Sequence, residues 1–190
     1  MSNKAHRYIG ELLACKCTPD LLRMNVFPNA KEWTESFGAY AAVREHLWKH
    51  GFDPADSTVR LIAVGDGNSP RTGATFAMRT AWQCTSVDPR LRKISWPIKR
   101  LGCRRSLIQD YPLLPDAHPL LFVCVHSHAT LEQTLQAVHA QHTGQVAVVA
   151  IPCCVPQDEM PPGGRAADIA YPDPGIWSPE RIVRIWKDVR

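Results

Sequence analysis

Three apolar runs without polar alternation divide the chain: Val59 to Val64, Leu120 to Val125 and Val146 to Ile151. Continuous runs of this length, rich in β-branched residues, predict parallel strands buried on both faces. Between them the apolar spacing changes to that of helices. A helix is expected from about Thr72 to Thr80, and another from about Thr130 to Gln141 with Leu131, Leu135 and Val138 on one face. The segment up to about residue 57 reads as helical. A short helix over Lys4 to Cys15 places Tyr8, Ile9, Leu12 and Leu13 at helical spacing, and a longer one runs from about Ala30 to His50. Pro19 and Pro28 break the connection between them, and Gly51 is a natural stop.

Weaker patterns fill the remainder. Trp82 to Val87 predicts a second strand that ends at Asp88, and Ser106 to Gln109 a short third strand that ends at Asp110. Pro156 to Pro179 is rich in proline and glycine and is expected to be a long loop, with a closing strand over Arg181 to Lys187. Strands that alternate with helices define the α/β class. The expectation is a single domain with a Rossmann-like, mainly parallel sheet and helices on both faces. Residues 1–57 form a helical N-terminal segment, 58–155 the nucleotide-binding core, and 156–190 the Pro-rich loop and closing element.

Composition adds little to the fold but narrows the setting. The hydrophobic share of 45% suits a folded domain. No apolar run approaches the roughly 20 residues that span a bilayer, and the N-terminus lacks the apolar stretch of a signal peptide. A cytoplasmic protein is the expectation. Seven cysteines scattered through apolar segments suit buried thiols better than a disulfide framework. Neither Cys15-Lys16-Cys17 nor Cys153-Cys154 has the spacing of a zinc knuckle, so no metal is expected.

The net charge of +4 is unevenly placed. Between Arg90 and Arg105 lie Arg90, Arg92, Lys93, Lys99, Arg100, Arg104 and Arg105, with no acidic residue. Such a stretch makes a phosphate-bearing partner worth considering, and Trp96 within it is available for stacking, so RNA is the first partner to consider.

The chemistry gathers around Val59 to Asp88. A buried-type strand runs into Gly65-Asp66-Gly67-Asn68-Ser69-Pro70, a helix follows, and the next strand ends in Asp88. Glycines let backbone N–H groups approach a ligand at a helix N-terminus, and an acidic residue about 20 positions on reaches ribose hydroxyls. Pro70 occupies the third-glycine position of G-x-G-x-x-G, which argues against a pyrophosphate dinucleotide such as NAD. In parallel sheets ligands bind outside the carboxyl ends of the strands. That rule brings Gly65 to Ser69, Asp88, Asp110, His126 to His128 and Cys153-Cys154 to one crevice. The first turn of the Ala30 helix, with Glu32, Trp33 and Glu35, is a further candidate for its wall. His126 and His128 are candidate general bases at neutral pH.

The run LIAVGDG, TSVDP, IQDYP, LLFVCVHSHA and VAVVAIPCC resembles the class I S-adenosylmethionine-dependent methyltransferases, most closely a group whose fifth strand ends in P-C-C. The resemblance covers roughly Val59 to Val155. It implies S-adenosylmethionine as cofactor, with Gly65 and Gly67 beside its methionine portion, Asp88 on the ribose and Asp110 on the adenine side. Asp66, Asn68 and Ser69, in the same glycine turn, are the remaining candidate cofactor-binding residues. One position departs from the family pattern. Ala63 stands where an acidic residue is usual, and Asp66 is the candidate replacement. The alternative is therefore a non-catalytic module of the same fold that binds S-adenosylmethionine, nucleotide or RNA.

Overall fold

A computed structural model describes residues 4–138, 140–152 and 164–189. Among the described residues, a 3₁₀ turn over Lys4–His6 and three α-helices precede the first strand: α1 (Arg7–Ala14), α2 (Thr18–Arg23) and α3 (Ala30–His46). Then come β1 (Arg60–Val64), α4 (Arg71–Arg79), β2 (Gln83–Val87), β3 (Leu101–Arg104), β4 (Leu120–Val125), α5 (Leu131–Gln136), β5 (Val146–Ile151), β6 (Ile169–Pro172) and β7 (Ile182–Trp186). The strands form one sheet in the order β3-β2-β1-β4-β5-β7-β6. β3, β2, β1, β4 and β5 are mutually parallel, while β7 runs antiparallel to both β5 and β6. The fold is α/β and Rossmann-like.

β4 and β5 are buried at every position, as continuous apolar runs between two helical layers require. Their side chains alternate between two cores. Leu121, Val123, Ala147 and Val149 point into the larger core, which includes buried residues of α1, α3 and α4. Leu120, Phe122, Val146 and Val148 point into a smaller one with Leu131 of α5, Ile108 and Trp186. α3 crosses the larger core and is buried continuously from Thr34 to Val43. A Cβ on Gly38 would lie 2.7 Å from the Ile176 side chain, so the absence of one lets that segment close over the helix.

Four expectations change against the structure. The third strand is Leu101–Arg104, and the residues predicted for it, Ser106 to Gln109, lead instead into a 3₁₀ turn over Ile108–Asp110. Pro19 starts a helix rather than breaking the chain: it lies in the first turn of α2, where a missing N–H has no partner to lose. α5 ends at Gln136 instead of Gln141. The Pro-rich segment contains β6, which pairs with β7 and carries Pro172 as its last residue. Residues 153–163, with Cys153 and Cys154, lie outside the described residues, so the expectations placed on them go no further. The described cysteines Cys15, Cys17, Cys84, Cys103 and Cys124 are free thiols. Among the described residues no helix is long and apolar enough to cross a membrane.

Candidate functional site

The strand order reverses between β1 and β4, because the chain goes one way from β1 to β2 and β3 and then returns to its other side. A crevice is expected at the carboxyl ends of these two strands. Gly65 follows β1 there with φ +72°, and a Cβ on it would lie 2.8 Å from Cα of Ser127, just past β4. A side chain at position 65 would therefore press on backbone as well as strain its own. Gly67, with φ +76°, makes the second left-handed step of the turn.

Two adjoining cavities open at this edge, sharing Gly65, Arg90 and His128. The smaller, of about 350 Å³, is lined by Val64, Val87, Asp88, Ile108 and Gln109 among others. The larger, of about 630 Å³, lies between the start of α3, the Gly65–Ser69 turn, the Arg90–Trp96 segment and His126. Both fall within the roughly 300–1,000 Å³ typical of small-molecule sites.

Of the residues singled out from sequence, Gly65, Gly67, Asn68, Ser69, Asp88, His126 and His128 line these cavities. Asp88 is buried, and its carboxylate accepts the Gly67 N–H (2.7 Å) and the Arg90 N–H (2.6 Å). Ser69 donates its hydroxyl to the Val26 carbonyl (2.6 Å), which ties the glycine turn to the segment after α2.

Asp66 and Asp110 are placed differently. Asp66 is buried beneath the turn, where it accepts the N–H groups of Thr72 (2.8 Å) and Gly73 (3.0 Å) and the Ser86 hydroxyl (2.7 Å). Burial pushes its carboxyl above the ordinary carboxylate range, and these donors pull it back. Its role is to satisfy the first N–H groups of α4, where the residue before the helix is a proline with no capping side chain. Asp110 borders a separate surface depression with Arg104, Arg105 and Tyr111, and its neighbour Gln109 lines the smaller cavity instead.

α3 supplies what β1 lacks. Asn29 caps it by accepting the Glu32 N–H (3.1 Å), which aims the first two turns at the crevice. Glu35, only 2% exposed at its side chain, sits 3.2 Å from Nε2 of His126 and 3.1 Å from Nζ of Lys31. Burial alone would raise the Glu35 pKa. The His126 and Lys31 side chains outweigh it and hold the carboxyl below its usual value. His126 has a left-handed backbone (φ 49°) where β4 stops. Its Nε2 and Glu35 Oε1 are sealed from solvent without the alignment of a full hydrogen bond. Glu32 pairs with Arg71, whose Nε also donates to the Asp66 carbonyl (3.0 Å). Burial lowers the Arg71 pKa to about 10, against the opposing charge of Asp88, so it stays a cation at neutral pH. Trp33, the third candidate in this turn, packs edge-on against Phe27.

The basic stretch divides by role. Arg100 donates to the carbonyls of Ala77 (3.0 Å) and Thr80 (2.8 Å) at the end of α4. Arg105 clasps the carbonyls of Leu91 (2.7 Å) and Arg92 (2.9 Å). Arg90, Arg92, Lys93 and Trp96 line the larger cavity, while Arg104 borders the depression beside Asp110. Among the described residues no group of three or more His, Cys, Asp or Glu is placed to hold a metal ion.

Fold and crevice together define an α/β protein with two adjoining cavities at the switch point of its sheet. No protein-family model matches the chain, and no curated protein matches it in sequence.

Proposed function

We propose that this chain is an S-adenosylmethionine-dependent methyltransferase. The observation that carries the reading is the two-chambered crevice at the β1/β4 switch point, with Gly65 on the shared wall and Asp88 in the smaller chamber. The residues suit the cofactor. Ile108, Val64 and Val87 give the smaller chamber an apolar lining for a purine, and Asp88 keeps unused lone pairs for ribose hydroxyls. Gly65 leaves room for close approach of the methionine portion beside the Arg71–Glu32 ion pair. Asn68 and Ser69 lie on the same wall, while Asp66 holds the turn from below.

The cofactor supplies an activated methyl group. The chain aligns the acceptor in the larger chamber and receives its proton. His126 is the base for that proton, and Glu35 holds the imidazole in place from the second turn of α3. His128, at the junction of both chambers, is the second candidate.

A non-catalytic module is the competing reading, favoured by Ala63, which is packed into the larger core, and by the full occupation of Asp66. Calorimetric titration with S-adenosylmethionine and S-adenosylhomocysteine tests the cofactor. Micromolar binding of either, lost in Asp88→Ala, is expected. Folded protein that gives no heat with both would refute the methyltransferase reading, and unchanged affinity in Asp88→Ala would refute the pose.

A further inference from the structure

We infer that the larger chamber takes one nucleotide of a single-stranded polynucleotide, with the flanking phosphates held at its mouth by Arg90, Arg92 and Lys93. This rests on the methyltransferase reading only in calling the strand an acceptor.

Charge is balanced on one part of the chamber wall and unbalanced at its mouth. Two of the lining cations have partners: Lys31, itself 45% exposed at its side chain, pairs with Glu35, and the more buried Arg71 with Glu32. Those at the mouth are open to solvent. Arg90 is 68% exposed at its side chain and lies a distant 3.9 Å from Asp88, and Arg92 and Lys93 are exposed. A small anionic metabolite that entered whole would place its charge among groups already neutralised. A strand that sends an uncharged base and sugar inward, with its phosphates outside, matches both regions. Trp96, half-buried on the wall, offers an aromatic surface in the same segment, with the Lys93 ammonium 5.6 Å from its ring centroid.

The segment that carries these cations is fixed before any ligand arrives. The Arg90 N–H is held by Asp88, the Arg92 N–H donates to the Asn68 carbonyl (3.0 Å), and Arg105 clasps the carbonyls of Leu91 and Arg92. The backbone under Arg90 and Arg92 is thereby anchored to the glycine turn, the tip of β2 and the end of β3. Little backbone ordering is left for binding to require.

The test is fluorescence anisotropy of the full chain with labelled 12-mers of oligouridylate and oligothymidylate, against salt concentration. Three phosphate contacts predict a slope of log K on log salt of about −2, given roughly −0.7 per contact for single strands. Arg92→Gln with Lys93→Gln should weaken binding about tenfold or more and flatten the slope to about −0.7. Arg104→Gln, outside the cavity, should leave both unchanged. The altered residues are exposed, so melting temperatures should match the parent. Absence of binding to either oligomer at low salt would overturn the inference. So would equal losses in Arg104→Gln, or displacement of the oligomer by polyglutamate at lower charge concentration. Parallel titration with S-adenosylmethionine separates the two readings: a strand bound without cofactor affinity refutes methyl transfer alone, and the converse refutes the strand alone.

Discussion

Replacing Asp66 by alanine distinguishes a ligand-binding carboxylate from one that holds the fold. In the structure this side chain accepts from Thr72 N, Gly73 N and Ser86 Oγ, all at 3.0 Å or less. Loss of a helix cap costs about 1 kcal/mol. Leaving buried donors without a partner adds about 1–3 kcal/mol. The buried carboxylate carries a desolvation cost that alanine removes, so the net loss should be about 2 kcal/mol. Urea unfolding followed by circular dichroism at pH 7 measures it, and Ser86→Ala in a double-mutant cycle reports the coupling. Asparagine, with one acceptor oxygen, should lose less. A carboxyl whose pKa is raised on folding binds its proton more tightly in the folded chain. Its contribution is full below the ordinary aspartate value near 3.9 and fades as pH rises through the folded value. The advantage of the parent over Asp66→Asn should therefore shrink as pH climbs from about 4. A loss below about 0.5 kcal/mol in Asp66→Ala, together with abolished cofactor affinity, would refute the capping role.

Glu35→Gln should lose about 1–3 kcal/mol at pH 7, because it removes the charge facing His126 and Lys31. Since the folded Glu35 pKa is lowered, the parent's advantage is present above the ordinary glutamate value near 4.3 and lost as acid carries pH through the lowered one. Urea curves at pH 7 and pH 3 with a constant difference would refute this. Arg100→Ala should cost about 1–2 kcal/mol by freeing the Ala77 and Thr80 carbonyls, with oligonucleotide affinity unchanged. Weakened binding without a change in melting would put Arg100 at the strand instead.

How far the sequence carries the fold depends on how much each element buries. β1, β4 and β5 are flanked on both sides by other strands, so their apolar runs mark them without help from context. β3 has a partner on one side only, and Gly102 and Arg104 face solvent, so Leu101–Arg104 carries no strand signal. The apolar residue that suggested a strand further on, Ile108, is buried from a turn. β6 likewise pairs only with β7 and is half-exposed along its length, which hid it within a Pro-rich segment.

The site divides in the same way. Its glycine turn, Asp88 and the two histidines follow from the order of strand, turn and helix. Glu32 and Glu35 follow from their place in the first turns of α3. That Asp66 lies beneath the turn and not on it depends on Ser86, which faces it from the next strand. The separation of Arg100 and Arg105, which clasp backbone carbonyls, from Arg90, Arg92 and Lys93 at the open rim depends on which carbonyls happen to be near, and sequence spacing does not encode that.

The same short outer strands that escaped sequence reading bound how far the sheet can grow. An exposed strand edge offers unpaired N–H and C=O groups to any other chain, and length and flatness make that offer dangerous. Here each rim is four residues long. β3 carries the exposed charge of Arg104, which a docking strand would have to accommodate, and β6 ends in Pro172, which has no N–H to donate. The sheet is thus blunt on both sides, and a strand from a neighbouring molecule finds little edge to extend.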